Sequence, residues 1–472
     1  MNKPKYTLNM KKTIALLAFA GLIAQAPAQS PSGYTEKEAF NLMRTIEGTP
    51  FERTVHPDAQ WFPQASFGLF IHWGIHSISG TDPSWSMLKN VPWLQNANPV
   101  SPNKYYKLAE EFDPSSYDAE KWVLAAKNAG FQYIVITAKH HDGYCLWPTE
   151  YGQYNTKNYM GGRDLLRPLI DACRQYGLRI GLYFSPRDWS HPDYPMPFKD
   201  YDYAQGIKGN RYPEGENQQK FDTFFEYTIG QLSELLTRYG KIDEIWFDGI
   251  GWPGVNTYHE KLHAWLRAIQ PGIIINPRWE TNEEGKTFGD FHTEEIAWRK
   301  RMTEGRPYTP GEWWEFNETW SGHWGYTPGA AFRDVDKVIA ALVYARSYGG
   351  NYLPDIGPQP DGKMRPGFYN ECIKIGEWMS KNRESVIGTT DFPNWNDLCN
   401  VPLTRNGKHV YAHLLKEMKG EVVLKWNAKP KQISLLHDGK DVPFTYKNKE
   451  IHISLDDSRR GFIDDVVKIC WE

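Results

Sequence analysis

An acidic side chain ends one of the most apolar stretches of this sequence. In EIWFDGIG (244–251), Asp248 follows the run IWF (245–247) and precedes a glycine-rich turn. A carboxylate at such a place can serve as a nucleophile, as a general base or as a hydrogen-bonded core residue. We expect Glu244, which opens the same stretch, to reach water.

Polar side chains follow other apolar stretches in the same way. They are His72 and Trp73, His140, His141 and Asp142, Ser185, and Asn276 and Arg278. Adjacent residues of a strand point to opposite faces, so His140 and His141 could share a metal ion only where the backbone turns. Neither His140 nor His141 belongs to an HxH or HExxH spacing, the spacings typical of zinc sites. We therefore expect hydrogen bonds to a polar ligand at these histidines, with no metal and no other cofactor.

The apolar stretches alternate with helix patterns from about residue 35 to residue 390. Strands that are apolar throughout and alternate with helices indicate a parallel sheet covered on both faces. So many repeats favour a (β/α)8-like, TIM-type barrel as the catalytic domain, and the polar residues then gather at its C-terminal, active-site face. Residues 279–330, rich in Trp and Gly, predict irregular structure.

The pattern changes near residue 395. Residues 395–472 contain short alternating strands separated by Asn-Gly and Asp-Gly turns, which predicts a small antiparallel β-sandwich packed on the barrel. At the other end, Lys11 and Lys12 precede an uncharged apolar run and the small residues Ala26 and Ala28. This indicates a secretory signal peptide over residues 1–28, without the cysteine of a lipid anchor, and a secreted or periplasmic protein.

The composition limits the classes of partner. A formal net charge of -3 without a basic stripe argues against nucleic acid. Aromatic residues make up 15% of the chain, and because aromatic rings stack on the C–H faces of sugars, this excess is consistent with a carbohydrate ligand; a large aromatic core explains it equally well. The five cysteines form no CxxC pair and are widely spread, which predicts buried thiols.

Glycoside hydrolysis needs a second carboxyl group beside the first. The segment GEWWEFNETWSGHWGY (311–326) offers Glu312, Glu315 and Glu318 among four tryptophans. Packing against apolar rings raises the pKa of a carboxyl group, as a general acid requires. Spacing alone does not choose among the three.

Seven motifs together resemble the family of retaining α-L-fucosidases. They are FGLFIHWG, KHHDGYCLW, GLYFS, IWFDG, INPR, WE followed by WGY, and NYLPDIGPQPDG, in the family's order over residues 67–362. The resemblance implies that Asp248 is the nucleophile. It also implies that Glu315, nine residues before Trp324, is the acid/base, with Glu312 in reserve.

The resemblance also implies a sugar-binding set. It comprises His72, Trp85, His140, His141, Tyr183, Trp246 and Arg278. Two positions depart from the family's pattern: Ser84 stands where many relatives have a glutamate before Trp85, and Asp355 stands for the usual asparagine. We expect an exo-acting enzyme that removes terminal α-L-fucose from oligosaccharides or glycoconjugates. The alternatives are a retaining glycosidase for another terminal sugar, such as a galactoside, and a non-catalytic carbohydrate-binding relative.

Overall fold

The N-terminal part of the protein is built on eight parallel strands. The computed structural model describes residues 30–94, 99–196, 198–206, 218–249, 259–278, 288–295, 311–392, 394–461 and 463–472, so the predicted signal peptide lies outside the described residues. The strands are β1 (Gly68–Ile71), β2 (Tyr133–Lys139), β3 (Arg179–Phe184), β4 (Glu244–Phe247), β5 (Ile274–Ile275), β6 (His292–Glu294), β7 (Trp314–Thr319) and β8 (Asn351–Ile356).

These strands form one curled sheet in the order β5-β4-β3-β2-β1-β8-β7-β6. At the seam between its two ends, the amide of Asp290 donates to the carbonyl oxygen of Ile275 at 2.7 Å. The Asp290 carboxylate in turn accepts the amide of Ile275 at 2.9 Å. Because Asp290 lies two residues before β6, these bonds bring β6 to β5 and close the sheet into the predicted TIM-like barrel.

Helices alternate with the strands around the barrel. The longer ones are Glu36–Thr45, Pro102–Glu111, Ala119–Ala129, Leu166–Tyr176, Gln218–Arg238, His259–Ile269, Val335–Ser347 and Phe368–Asn382, and single helical turns lie at Phe62–Ala65, His76–Ser79, Thr156–Tyr159 and Trp395–Leu398. The helix that starts at Ala119 ends at Gly130, whose φ of 98° is the left-handed conformation that glycine adopts without strain. The sequence predicts this cap.

The stretch after residue 278 differs from its prediction. The predicted irregular segment spans residues 279–330, of which 279–287 and 296–310 lie outside the described residues. Residues 320–330 are irregular as predicted, but the described remainder contains β6 and β7. Strand β7 carries Glu315 and Glu318 at fully buried positions, and charged residues inside a strand interrupt the apolar run by which a buried strand is recognised. Strand β6 has only three residues, too few to set a pattern.

The barrel interior is filled by large side chains from the strands and sealed at its N-terminal end. Phe70, Tyr133, Val135, Tyr183, Trp246 and Leu353 pack together there with Phe62 and Ala65 of the single turn before β1. Glu244 belongs to the same interior, and the prediction that it reaches water is wrong because its side chain is fully buried. Burial, and then the charge of Glu315, raise the pKa of Glu244 well above its ordinary value.

The C-terminal part consists of two antiparallel sheets, as predicted for a β-sandwich. Their strands are β9 (Leu403–Asn406), β10 (His409–Leu415), β11 (Val422–Lys425), β12 (Gln432–Leu435), β13 (Phe444–Lys447), β14 (Glu450–Ile453) and β15 (Asp464–Cys470). The sheet orders are β12-β15-β10-β9 and β11-β14-β13. The sandwich is fastened to the barrel, for example by the indole of Trp378, which donates to the carbonyl oxygen of Asp464 at 3.1 Å.

All five cysteines are free thiols, and four of them are buried. Among the described residues, no helix has the length and apolar character needed to cross a membrane.

Arg346 joins three parts of the barrel through a fully buried guanidinium. It donates to the Gly350 carbonyl oxygen at 2.9 Å, just before β8, to the hydroxyl of Thr389 at 3.1 Å and to the carbonyl oxygen of Thr389. We expect Arg346→Met to lower the free energy of unfolding by about 3 kcal/mol or more, because it leaves buried carbonyl oxygens without a donor. Arg44→Met, at an arginine whose side chain is 57% exposed, is the control and should cost less than about 0.5 kcal/mol. Equal losses in urea titrations of the two variants would contradict this role for Arg346.

Candidate active site

Asp248 lies directly after β4, at the C-terminal mouth of the barrel, and its side chain is 17% exposed. Three groups hold its carboxylate. The hydroxyl of Tyr183 donates to Oδ2 at 2.8 Å, the guanidinium of Arg278 lies 3.0 Å from Oδ1, and the amide of Gly249 donates to Oδ1 at 2.7 Å. Gly249 has a φ of 84°, so the turn after β4 uses the conformation that the sequence GIG favours.

This environment keeps Asp248 ionised. Burial alone would raise the pKa of the carboxyl group, but the charge of Arg278 and the hydrogen bond from Tyr183 outweigh burial and lower the pKa to about 2. The pKa values of Tyr183 and Arg278, the partners of this carboxylate, are raised instead. The pKa of the Tyr183 hydroxyl rises well above its ordinary value through burial and through the Asp248 charge.

Three histidines line the same mouth, and all are almost fully buried. Nδ1 of His72 lies 2.6 Å from a carboxylate oxygen of Asp355, to which it donates its proton. Nδ1 of His141 lies 2.6 Å from the hydroxyl oxygen of Ser185, and that hydroxyl donates to the carbonyl oxygen of Arg187. Because the Ser185 proton is used in this way, Nδ1 of His141 is the donor. Burial lowers the pKa of His141 to about 3, so this ring is neutral and its Nε2 carries the lone pair.

His140 has the opposite arrangement. The Ser84 hydroxyl oxygen accepts the amide of Asp142 at 2.8 Å and lies 2.6 Å from Nδ1 of His140. Nδ1 of His140 is the acceptor within reach of the Ser84 hydroxyl proton, and donation of that proton to Nδ1 leaves the ring proton of His140 on Nε2. Burial, then the neighbouring His141, lower the pKa of His140 well below its ordinary value, so this ring is neutral. The mouth thus offers both ring donors and ring acceptors, which suits hydroxyl groups.

The two residues that depart from the family's pattern, Ser84 and Asp355, each contact a histidine of the mouth. Ser84 and Asp355 are the Nδ1 partners of His140 and His72. Ser84 adopts a φ of 58°, which is unfavourable for a residue with a Cβ atom and indicates that the surroundings fix its position.

Aromatic rings form the walls of the mouth. Tyr183 stacks on Trp246 with ring centroids 5.5 Å apart, and the Arg278 guanidinium lies 5.1 Å from the centre of the Trp246 ring. On the other side, Trp324 packs 5.3 Å from His72. Trp324 was not among the predicted site residues, although it lies in the WGY motif used to place the acid/base.

Trp85 lies further out, with its ring centroid 5.3 Å from that of His141. Trp85 completes the predicted sugar-binding set, and the structure places all of its members and Asp248 at one mouth.

Glu315 is not brought to this mouth. It is the second residue of β7 and is fully buried in the barrel interior, where it accepts hydrogen bonds from the Tyr133 hydroxyl at 2.5 Å and from the Trp246 indole at 3.1 Å. Tyr133 is the first residue of β2, so Glu315 lies towards the N-terminal end of the barrel, beneath Trp246. Burial raises the pKa of Glu315 to about 7, but a sugar in the mouth cannot reach it.

The two other glutamates of that segment also lie elsewhere. Glu312 precedes β7 at the N-terminal end of the barrel and pairs with His292 at 3.2 Å. Glu318 is fully buried, accepts a hydrogen bond from the Tyr352 hydroxyl at 2.8 Å and pairs with Arg333.

The mouth contains another acid, Glu295, which was missed in the sequence. It follows β6 directly, so it lies at the C-terminal face, and its side chain is 45% exposed. Its carboxylate pairs with the guanidinium of Arg278, whose other nitrogen faces Asp248. The two carboxylates therefore flank one guanidinium. The sequence signal was present in HTEE (292–295), but a three-residue strand gave no reason to place these acids at a strand end.

His140, His141 and Asp248 have ligand-type atoms within 4.8 Å of one another, a spacing that could hold a metal ion. The backbone turn after β2 does bring both rings to one side, with centroids 4.2 Å apart. However, the Arg278 guanidinium already lies against the Asp248 carboxylate, and a cation beside it would be repelled. The proton on Nε2 of His140 also opposes metal binding at that atom.

A TIM-like barrel with an ionised carboxylate in an aromatic mouth defines an enzyme of the glycoside hydrolase class. The family model for alpha-L-fucosidase matches residues 43–384, and the chain belongs to this family. Tissue alpha-L-fucosidase of Rattus norvegicus is 29% identical over 393 residues, which cover 79% of this chain and 77% of that protein.

Solved structures agree with this assignment. An alpha-L-fucosidase GH29 from Bacteroides thetaiotaomicron superimposes with a TM-score of 0.74 at 27% identity, covering 89% of this chain and 96% of the other. A second structure of an alpha-L-fucosidase from that organism shows a covalent intermediate trapped with 2-fluoro-fucosyl fluoride in a glutamate-to-glutamine variant. It superimposes with a TM-score of 0.74 at 26% identity, covering 89% of this chain and 98% of the other.

The buried Glu315 should make stability depend on pH. Its pKa is raised to about 7, so the folded state binds its proton more tightly than the unfolded state, whose carboxyl group titrates near 4.5. Stability from this proton is complete below about pH 4.5 and is lost as the pH rises through about 7. We expect Glu315→Gln to flatten the fall in the free energy of unfolding between these values. Glu226→Gln, at a carboxylate that is 54% exposed, is the control and should leave the fall unchanged. Parallel pH profiles for wild type and Glu315→Gln would contradict this.

Proposed function

We propose that this protein is an exo-acting, retaining α-L-fucosidase that removes terminal α-L-fucose from oligosaccharides or glycoconjugates through a covalent glycosyl-enzyme. The observation that carries the proposal is the ionised Asp248 carboxylate, held at the barrel mouth by Arg278 and Tyr183. The chain's membership of the alpha-L-fucosidase family supports the choice of sugar.

Asp248 acts as the nucleophile in the first step. Its carboxylate attacks the anomeric carbon while the bond to the leaving group breaks, and water later hydrolyses the ester with a second inversion. A pKa of about 2 leaves the carboxylate ionised at neutral pH. The same contacts from Arg278 and Tyr183 stabilise the carboxylate when it departs in the second step.

For the acid/base, the geometry favours Glu295 over Glu315. A general acid must reach the leaving oxygen and afterwards a water molecule, and of these two glutamates Glu295 is the one that lies at the mouth. Because Glu295 and Asp248 bind the same guanidinium, they lie close together, as a retaining mechanism requires of its two carboxyl groups (roughly 5–5.5 Å). The covalent intermediate trapped in a glutamate-to-glutamine variant of the related Bacteroides thetaiotaomicron enzyme supports a two-carboxylate mechanism for this chain.

The blind end of the pocket favours a terminal sugar. Below Asp248 the interior is filled by Trp246 and Glu315, so a chain cannot pass through and only an end residue fits. The imidazoles of His72, His140 and His141 offer both donors and acceptors to its hydroxyl groups.

A second candidate is a retaining glycosidase for another terminal sugar. The observation that favours it is the position of the two departures: Ser84 and Asp355 contact His140 and His72 directly. A change at either partner alters which ring nitrogen carries the proton, and therefore which hydroxyl orientation is bound.

The proposed location of the enzyme rests on the sequence alone. The basic residues Lys11 and Lys12, the apolar run and Ala28 support export through a cleaved signal peptide, to the periplasm or the medium.

The direct test is release of nitrophenol from 4-nitrophenyl α-L-fucoside, with other aryl glycosides and EDTA in parallel. We expect turnover of the fucoside that EDTA does not affect. Turnover of another glycoside alone would favour the second candidate. Sugar binding without any turnover would identify a non-catalytic relative.

Removing the nucleophile should abolish this activity. Asp248→Gly is expected to lower kcat roughly 10⁴-fold, because no group remains to form the ester. Added azide should restore part of the turnover by attacking in its place, while having no such effect on the wild type. Unchanged activity of Asp248→Gly would contradict the assignment.

The two candidate acids can be separated by a matched pair of variants. We expect Glu295→Gln to lower kcat/KM for the aryl fucoside by about 10²-fold or more, the usual contribution of general acid–base catalysis. Glu315→Gln, measured per folded molecule, should lose less than about ten-fold. The loss in Glu295→Gln should be smaller with α-L-fucosyl fluoride, because fluoride leaves without a proton. A larger loss in Glu315→Gln than in Glu295→Gln would reverse the assignment.

A further inference from the structure

A continuous cluster of aromatic rings extends outward from the mouth. We call it the aromatic rim, and it comprises Trp85, Trp93, Trp189, Phe198 and Tyr203. Trp85 contacts His141 with centroids 5.3 Å apart, Trp93 contacts Trp85 at 5.2 Å, and Tyr203 contacts Trp93 at 5.1 Å. The inner members are buried or half-buried, whereas Trp93 is 49% exposed.

Two loops of the barrel face are fastened together to build this rim. The loop after β1 carries Trp85 and Trp93, and the loop after β3 carries Trp189, Phe198 and Tyr203. The amide of Lys89 donates to the carbonyl oxygen of Tyr201 at 2.8 Å, and the amide of Tyr203 donates to the carbonyl oxygen of Lys89 at 3.0 Å. The rings are therefore held in place by the backbone before any ligand arrives.

The hydrogen bonds between the two loops form although the backbone is strained at three residues. The side-chain amide of Asn90 donates to the Asp202 carboxylate at 2.9 Å. Asn90, Asp200 and Tyr201 all have φ between 53° and 56°, a conformation that costs free energy for residues with a Cβ atom. Strain of this kind persists where the surrounding contacts fix the loops, and it is common at ligand-binding sites.

Trp93 is 49% exposed, and within the described part of the chain its ring contacts Trp85 and Tyr203. A half-exposed tryptophan, fixed in a cluster that continues into a catalytic mouth, is the kind of residue that anchors a ligand. Because His141 lies 3.7 Å from Asp248, the rim begins beside the sugar to be cleaved. The leaving group lies next to that sugar.

We propose that the aromatic rim is a binding site for the leaving group of the substrate, and that this leaving group is a neutral saccharide. The C–H face of its pyranose ring stacks on Trp93, with Tyr203 and Trp85 on either side. The inference rests on the proposed function, and it adds that the natural substrate is a fucosylated oligosaccharide and that Trp93 contributes to its selection.

The test compares two donors that share the cleaved sugar and differ in the leaving group. The first is fucosylated lactose, with the fucose on galactose or on glucose, and the second is α-L-fucosyl fluoride, whose leaving group cannot reach the rim. We expect Trp93→Ala to lower kcat/KM for the trisaccharides at least about ten-fold more than for the fluoride, mainly through KM. Trp93→Phe, which keeps an aromatic face, should recover most of the loss. Trp471→Ala, at the half-buried tryptophan of the sandwich that packs on Trp426, is the matched control and should change neither value.

Each outcome separates this inference from the proposed function. Equal effects of Trp93→Ala on both donors, or hydrolysis of the fluoride with no hydrolysis of either trisaccharide, would overturn the rim as a saccharide site. If the wild type hydrolysed no fucosyl donor, the proposed function would fail. The rim would then be tested by titrating lactose into wild type and Trp93→Ala and recording tryptophan fluorescence. A response that is lost in the variant would support it, and no response in the wild type would overturn it.

Discussion

The guanidinium of Arg278 lies between the carboxylates of Asp248 and Glu295, and the proposed chemistry depends on this arrangement. Two like charges this close repel each other in a partly dry mouth, and a cation between them removes that cost. Arg278 also packs on the face of Trp246, so the ring that shapes the pocket helps to hold the cation. Closure of the barrel through Asp290 supports this arrangement, because it brings β6, and Glu295 after it, to the side of β5 from which Arg278 extends.

Two carboxyl groups of the same barrel show that burial alone does not make an active site. Asp248 and Glu315 lie on opposite sides of Trp246, and their pKa values move in opposite directions, to about 2 and to about 7. Glu315 has the raised pKa expected of a general acid, but burial causes that shift, and the same burial keeps substrate away. Position relative to the open end of the barrel therefore outweighs the pKa in assigning the acid. The buried pair of Glu315 and Glu244 is better explained as part of the interior that supports Trp246 from below.

Much of the fold, and the meeting of Asp248 with the other polar residues at one mouth, could be predicted from the sequence. The alternation of apolar strands and helices predicted the barrel, and the polar residues at strand ends predicted that Asp248, Arg278 and the histidines meet. The position of Glu295, the acid that we propose, could not be predicted because its strand has three residues and because β7, with buried glutamates, resembles a loop. Glu244 was misjudged for a related reason: a charge at the start of a strand is solvated in an open sheet, but in a closed barrel that end is sealed by Phe62.

The central claim is that Asp248 becomes covalently bound to the sugar, and labelling tests it most directly. The mature enzyme would be incubated with 2-fluoro-fucosyl fluoride, digested with a protease and analysed by mass spectrometry of the peptides. The account predicts one added 2-fluoro-fucosyl group, on the peptide that contains Asp248, and none when a competing fucose-like inhibitor is present. A label on Glu295 or on any other residue, or turnover of the reagent through an intermediate that leaves Asp248 unmodified, would contradict it.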